Sequence, residues 1–242
     1  MIEVNQVTKR FGEFVAVHDL SFSIQSGEVL GLLGENGAGK TTTMRIMATV
    51  IAPTSGDIAV EGFSVRSQPM EVRKRIGLLF GGDVGLYGRL TARENIRYFG
   101  HLYGMDERTL EQRVDHLSQA LQMGEYIDRR VNGFSRGMKQ KVAIARSLVH
   151  DPQVILLDEP TTGLDVSAAS VFRNLIADLR QTGKTILFSS HNMGEVEKLC
   201  DRVVIMQRGR LRFTGTVSEL KQDYHNDDLD EIFMQVVGGE RR

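Results

Sequence analysis

The apolar positions fall into short runs of two kinds. Val29–Leu33 and Val154–Leu157 are continuous, which predicts strands covered on both faces of a sheet. Val15–Ile24 alternates instead, through Leu20, Phe22 and Ile24, and predicts a strand with one buried face. Ile2–Val7, Ile58–Val60 and Ile76–Phe80 read as further strands, with a turn at Pro53-Thr54-Ser55-Gly56. A glycine loop after Leu33 leads into a helix from about Gly39 to Val50. From Thr91 to Val149 the signals are helical. Thr91, with Glu94 three residues on, can cap one helix and Asp106 another. Strand character returns at Val154–Leu157, Thr185–Ser189 and Val203–Met206. Between the first two lies a helix from about Ser167 to Gln181, stopped by Gly183. Arg208-Gly209 reads as a hairpin turn into Leu211–Thr214, and Ser218–Val237 as one or two short helices.

Short buried strands alternating with helices predict an α/β fold with a mainly parallel sheet. The alternating N-terminal strands predict an added antiparallel layer. The expected organisation is one domain. Residues 1–84 and 150–217 form the core and the β layer, 85–149 an inserted helical subdomain, and 218–242 a C-terminal helical extension.

Composition narrows the class. Thirty Lys+Arg against 31 Asp+Glu leave a net charge of −1, which argues against a nucleic-acid wrapper. The single cysteine, Cys200, excludes an intrachain disulfide or a cysteine metal cluster and reads as a small buried residue. No stretch reaches the ~18 apolar residues of a membrane span. The start, MIEVNQVTKRFG, carries an early acid and lacks the apolar region of a secretory signal. The chain is expected to be soluble and cytoplasmic, so that any membrane spans it works with belong to a separate polypeptide.

Two motifs carry chemistry. Gly34-Glu35-Asn36-Gly37-Ala38-Gly39-Lys40-Thr41 fits G-x-x-x-x-G-K-[ST], follows a buried strand, opens a helix and continues with Thr42. Glycines let successive N–H groups turn inward around a phosphate, and the helix N-terminus adds its dipole. Lys40 would pair with the β- and γ-phosphates of a nucleotide, and the Thr41 hydroxyl would hold Mg²⁺. The second motif is Val154-Ile-Leu-Leu-Asp158-Glu159-Pro160. It puts two carboxylates at the carboxyl edge of the sheet, where ligands bind in open α/β folds. Asp158 suits Mg²⁺, and Glu159 suits a base that orients water toward the γ-phosphate.

Between them stands Phe134-Ser-Arg-Gly-Met-Lys-Gln-Lys141, followed by an amphipathic helix. Here the chain resembles the ATP-binding-cassette (ABC) ATPases, whose signature is commonly Leu-Ser-Gly-Gly-Gln. Ser135 and Gly137 match; Arg136 and Met138 depart from it. The string is similar to the branch that exports drugs or sodium. Gly163-Leu164-Asp165 resembles the family's D-loop, His191 its switch histidine, and Phe11 the aromatic that stacks on adenine. An aromatic in an N-terminal strand is otherwise a core residue. The family's usual glutamine is missing: Gly81 stands there, and Asp83 is either a second-sphere substitute at the metal or a surface acid.

The resemblance implies a RecA-like P-loop core and ATP hydrolysis. It implies a homodimer that closes head to tail on ATP, with Ser135 and Gly137 of one copy meeting the phosphate loop of the other. It also implies a membrane permease as partner, no nucleic acid, and a location at the inner face of the cell membrane. The segment 83–103 is expected to dock that partner, although its apolar side chains also suit packing within the insert. The alternative is a stand-alone cytosolic ABC ATPase that drives assembly or regulation.

Overall fold

The computed structural model describes residues 1–80 and 85–238. Gly81 and Asp83, at the place of the missing glutamine, lie outside the described residues. The chain opens with strands β1 (Ile2–Phe11) and β2 (Phe14–Ile24), then β3 (Val29–Leu33) and helix α1 (Lys40–Met47). Strands β4 (Ser55–Val60) and β5 (Phe63–Ser64) follow, and α2 (Pro69–Arg75) leads into β6 (Ile76–Leu79). The insert consists of α3 (Ala92–Leu102), α4 (Glu107–Ala120) and α5 (Arg136–Leu148). The chain returns through β7 (Val154–Asp158), α6 (Val166–Gln181), β8 (Thr185–Ser189) and α7 (Met193–Leu199). It finishes with the hairpin β9 (Arg202–Gln207) and β10 (Arg210–Thr216), then α8 (Val217–Tyr224) and α9 (Leu229–Gly238).

Two sheets result. One is antiparallel, in the order β2-β1-β4-β5. The other has the order β10-β9-β3-β8-β7-β6 and is parallel except for the β9–β10 hairpin. The continuous apolar runs are explained by cover on both faces. Leu30, Leu32, Leu156 and Leu187 pack with α1 and the antiparallel layer, whereas Val29, Ile155, Leu157 and Phe188 pack with α6 and the helical insert. A third cluster seats α8 and α9 against Val203 and Ile205. Both caps foreseen in the insert form: Thr91 and Glu94 make a reciprocal capping box, and Asp106 accepts from Thr109 N. Among the described residues no helix is long and apolar enough to cross a membrane.

The strands differ from the pattern at the N-terminus. β1 runs past Val7 to Phe11 because the pairing shifts register between Val4 and Val7 and again before Lys9, and Gln6 takes a φ of 47°. Such bulges break the period-two alternation that would have marked the longer strand. Gly56, expected in a turn, lies inside β4. Helices α2 and α7 were not legible, because seven residues each are too short to show a helical period.

Candidate functional site

The parallel order β3-β8-β7 brings three strand ends to one edge. Leu32 pairs with Ser189, and Ser189 with Asp158, so the loop after β3 and the acids after β7 flank the end of β8. Every element of the site grows from that edge.

The loop between β3 and α1 is shaped by glycine where no other residue fits. Gly39 has a φ of 104°, and a methyl group there would sit 2.7 Å from the Ala16 carbonyl oxygen. No side chain caps α1, so its first N–H groups remain available to an anion. Lys40 is buried, and its Nζ donates to the carbonyl oxygens of Gly34 (2.5 Å) and Glu35 (3.1 Å). Burial lowers its pKa, while the negative charges of Glu159, Asp158 and Glu35 oppose that shift. A cavity of about 180 Å³ opens over this loop. Glu35, Asn36, Gly37, Ala38, Gly39, Lys40, Thr41 and Thr42 line it together with Phe14, Ala16 and Glu159.

The carboxylates are held in fixed positions. Asp158 accepts from Thr41 Oγ1 through Oδ2 (2.8 Å) and from Ser189 Oγ through Oδ1 (2.6 Å). Ser189 Oγ also accepts from the Glu159 backbone N–H (2.9 Å), so one hydroxyl ties both acids to β8. Glu159 has a φ of 47°, in the left-handed region that a side chain rarely adopts, and Thr162 donates to its Oε2 (3.1 Å). His191 Nδ1 lies 3.6 Å from Glu159 Oε1, with its side chain largely exposed. Thr41, Asp158, Glu159 and His191 therefore form one continuous series. No sequence motif marked Ser189, whose role depends on strand neighbours distant in the chain, or Thr162, which reaches Glu159 within one loop.

Other expected residues lie elsewhere. Ser135 is exposed and caps α5, accepting from Met138 N (3.2 Å), and Gly137 follows in the first turn. Neither lines the phosphate-loop cavity. Asp165 caps α6, accepting from Ala168 N, and shares a separate open cleft of about 430 Å³ with His191. Phe11 is 50% exposed under the Lys9 ammonium and is not a core residue. Phe14, directly opposite it across the hairpin, is the aromatic that lines the cavity. The two flank Gly12, and that doubling of aromatics at a turn was the available signal. Cys200 packs on the core, and burial raises its thiol pKa well above the ordinary value. Among the described residues, no three His, Cys, Asp or Glu side chains converge as a metal site.

Comparison with known proteins agrees with this geometry. The family model for ABC transporters matches residues 17–162. The ABC transporter ATP-binding protein NatA of Bacillus subtilis is 49% identical over 238 residues, 97% of each chain. The Nod factor export ATP-binding protein I of Burkholderia lata is 39% identical over 232 residues, which span 96% of this chain and 76% of that one. A dimeric structure of the ATP-binding cassette MJ0796, in a post-hydrolysis state with ADP and Pi bound, has a TM-score of 0.81 at 25% identity. It covers 90% of this chain and 99% of its own. With a RecA-like core, a phosphate loop and two acids at one sheet edge, and a family match over more than half its length, the chain belongs to the ABC family as an ATP-binding and ATP-hydrolysing transporter subunit.

Proposed function

We propose that two copies of this chain close head to tail on ATP and so drive a separate membrane permease, as an exporter does. The observation that carries this reading is a split site. The series Thr41, Asp158, Glu159 and His191 borders the phosphate loop, while Ser135 and Gly137 stand outside that cavity. A second copy supplies them to the exposed side of the nucleotide, in keeping with the dimer of the similar cassette. On ATP binding Lys40 exchanges its two loop carbonyls for β- and γ-phosphate oxygens. Phe11 and Phe14 flank the adenine. Glu159 orients and deprotonates the attacking water, His191 holds Glu159 and the γ-phosphate in register, and Asp165 faces the partner copy.

The Thr41 hydroxyl and the Asp158 carboxylate, already in contact, are hard oxygen donors that fit Mg²⁺, an ion that keeps several waters. When bound it offsets charge on the β- and γ-phosphates. A cleft of about 320 Å³ between core and insert, lined by Leu78, Phe80, Phe99, Tyr103 and Arg146, receives the permease and holds the chain at the inner membrane face. The names of its relatives favour export over a cytosolic role.

Glu159→Gln keeps the shape of the side chain but removes the base and one negative charge beside the γ-phosphate. The variant is expected to run as an ATP-dependent dimer on size-exclusion chromatography, with hydrolysis nearly lost. A monomer with normal turnover contradicts the assignment.

A further inference from the structure

His191 reaches Glu159 with little packing of its own to hold it there. Its side chain is 67% exposed, and Nδ1 meets Glu159 Oε1 at 3.6 Å. The ring is therefore placed by the backbone that carries it, the turn between β8 and α7. That turn is pinned on both sides of His191. Ser190 Oγ accepts from Asn192 N (3.0 Å), and Asn192 Oδ1 caps α7 by accepting from Glu195 N (3.3 Å).

Glu195 then ties this turn to the loop that carries Glu159. The residue is buried, only 6% exposed, and its one side-chain partner among the described residues is Thr161, whose Oγ1 donates to Glu195 Oε2 at 2.7 Å. A buried carboxyl group needs such a bond, because burial has cost it water. Thr161 stands two residues beyond Glu159, and its neighbour Thr162 donates to Glu159 Oε2 at 3.1 Å. The contacts close a ring. It runs from Glu159 through His191, Asn192, Glu195, Thr161 and Thr162 back to Glu159, by side-chain contact or by adjacency in the chain. Within the ring two contacts cross from one segment to the other, at 2.7 Å and 3.6 Å, and the shorter one sets the reach of the longer. The body of α7 is seated separately, since Met193 and Val196 pack with Leu33, Val203 and Ile205. Loss of the Glu195 bond therefore leaves the helix in place and frees its first turn.

We infer that Glu195 is a positioning residue for ATP hydrolysis. Held by Thr161, it fixes the turn that presents His191 to Glu159, so that both groups meet the γ-phosphate and the attacking water at a set spacing. The inference rests on the roles given to Glu159 and His191 above. It extends them to a residue outside the phosphate-loop cavity.

The test removes each partner in turn. Glu195→Ala and Thr161→Val, the second close to isosteric, are each expected to lower kcat roughly tenfold with less than a twofold change in the KM for ATP. The double variant should fall no further than either single one. Glu195→Gln keeps an oxygen that accepts from Thr161 and should recover about half or more of the parental kcat. In a His191→Ala background, already slow, Glu195→Ala should cost nothing more, because the group it positions is gone. Parental kcat in both single variants, beside an impaired His191→Ala, overturns the inference and leaves the roles of Glu159 and His191 standing. So does a loss from Glu195→Ala that persists in full in the His191→Ala background. Parental kcat in His191→Ala overturns the role of His191 and the inference with it. Should Glu195→Ala fail to fold, Thr161→Val with and without His191→Ala gives the same decision.

Discussion

At the scale of single residues, the site depends on charges held by groups that are themselves fixed. Lys40 is buried, and its ammonium is satisfied by two backbone oxygens before any nucleotide arrives. Lys40→Ala removes a buried charge-assisted contact aimed at the phosphates, which is on the order of 3 kcal/mol, or a hundredfold in rate. Purified Lys40→Ala should show ATP turnover reduced about a hundredfold while keeping its thermal melt, and normal turnover would place the phosphate contact elsewhere. Lys40, Thr41, Asp158 and Glu159 were legible from motifs because their chemistry is local to one loop or one strand end. Ser189 was not. A serine at a strand end is common, and only the β8 position between β3 and β7 lets one hydroxyl serve both acids.

At the scale of elements, two capped helix starts and the short buried strands β3 and β8 were legible, and the length of β1 was not. Caps are read from adjacent residues, so Thr91 and Asp106 mark their helices wherever these later pack. The bulges of β1 follow from its two neighbours in the sheet and leave no local trace. His150 shows how elements are tied to one another. It follows α5, stacks on Tyr103 at the end of α3 (3.6 Å between centroids), and shares a hydrogen bond through Nε2 with the Ile76 carbonyl of β6 (3.0 Å). Burial pushes its pKa down to about 4, the Ile76 bond and Asp151 oppose this, and Arg113 and Lys184 add to it.

The folded state therefore holds His150 neutral while the unfolded chain protonates it near its ordinary 6.5. The stability this neutral form contributes is complete above pH 6.5 and is lost as pH falls from there toward 4. By pH 5 the loss is about 2 kcal/mol. His150→Phe keeps a ring against Tyr103 but cannot take up a proton. Its melting temperature should drop less between pH 7 and pH 5 than that of the parent. Equal drops would show that His150 does not titrate on unfolding.

At the scale of the whole molecule, the insert and the core meet along a cleft that neither builds alone. Leu78 and Phe80 come from the core side, and Phe99 and Tyr103 from α3 and its end. Arg146 of α5 lies over the Phe99 ring at 4.5 Å and donates to the Gly85 carbonyl oxygen at 2.8 Å. Beside it Tyr98, Leu102 and Tyr103 are exposed, an aromatic edge suited to anchoring a partner. A photo-crosslinker at Leu102 should join the chain to its co-expressed membrane subunit, and one at Phe213 on β10 should not. The reverse pattern would move the docking face to the far edge of the core.

The sequence by itself determined the class of fold, the family, and the positions of the glycine loop and of the two acids at a strand end. Each of these is written in a contiguous run: an apolar strand, a glycine loop, a capped helix start. What only the tertiary structure decided is which runs become neighbours. The order β3-β8-β7 assembled Thr41, Asp158, Ser189 and Glu159 from segments more than a hundred residues apart in the case of Thr41 and Asp158. It put Phe14 at the cavity and laid Arg136 on Gly163. These contacts depend on strand pairing and close backbone approach. No stretch of sequence encodes either alone, because each is fixed by packing among elements that the chain brings together from a distance.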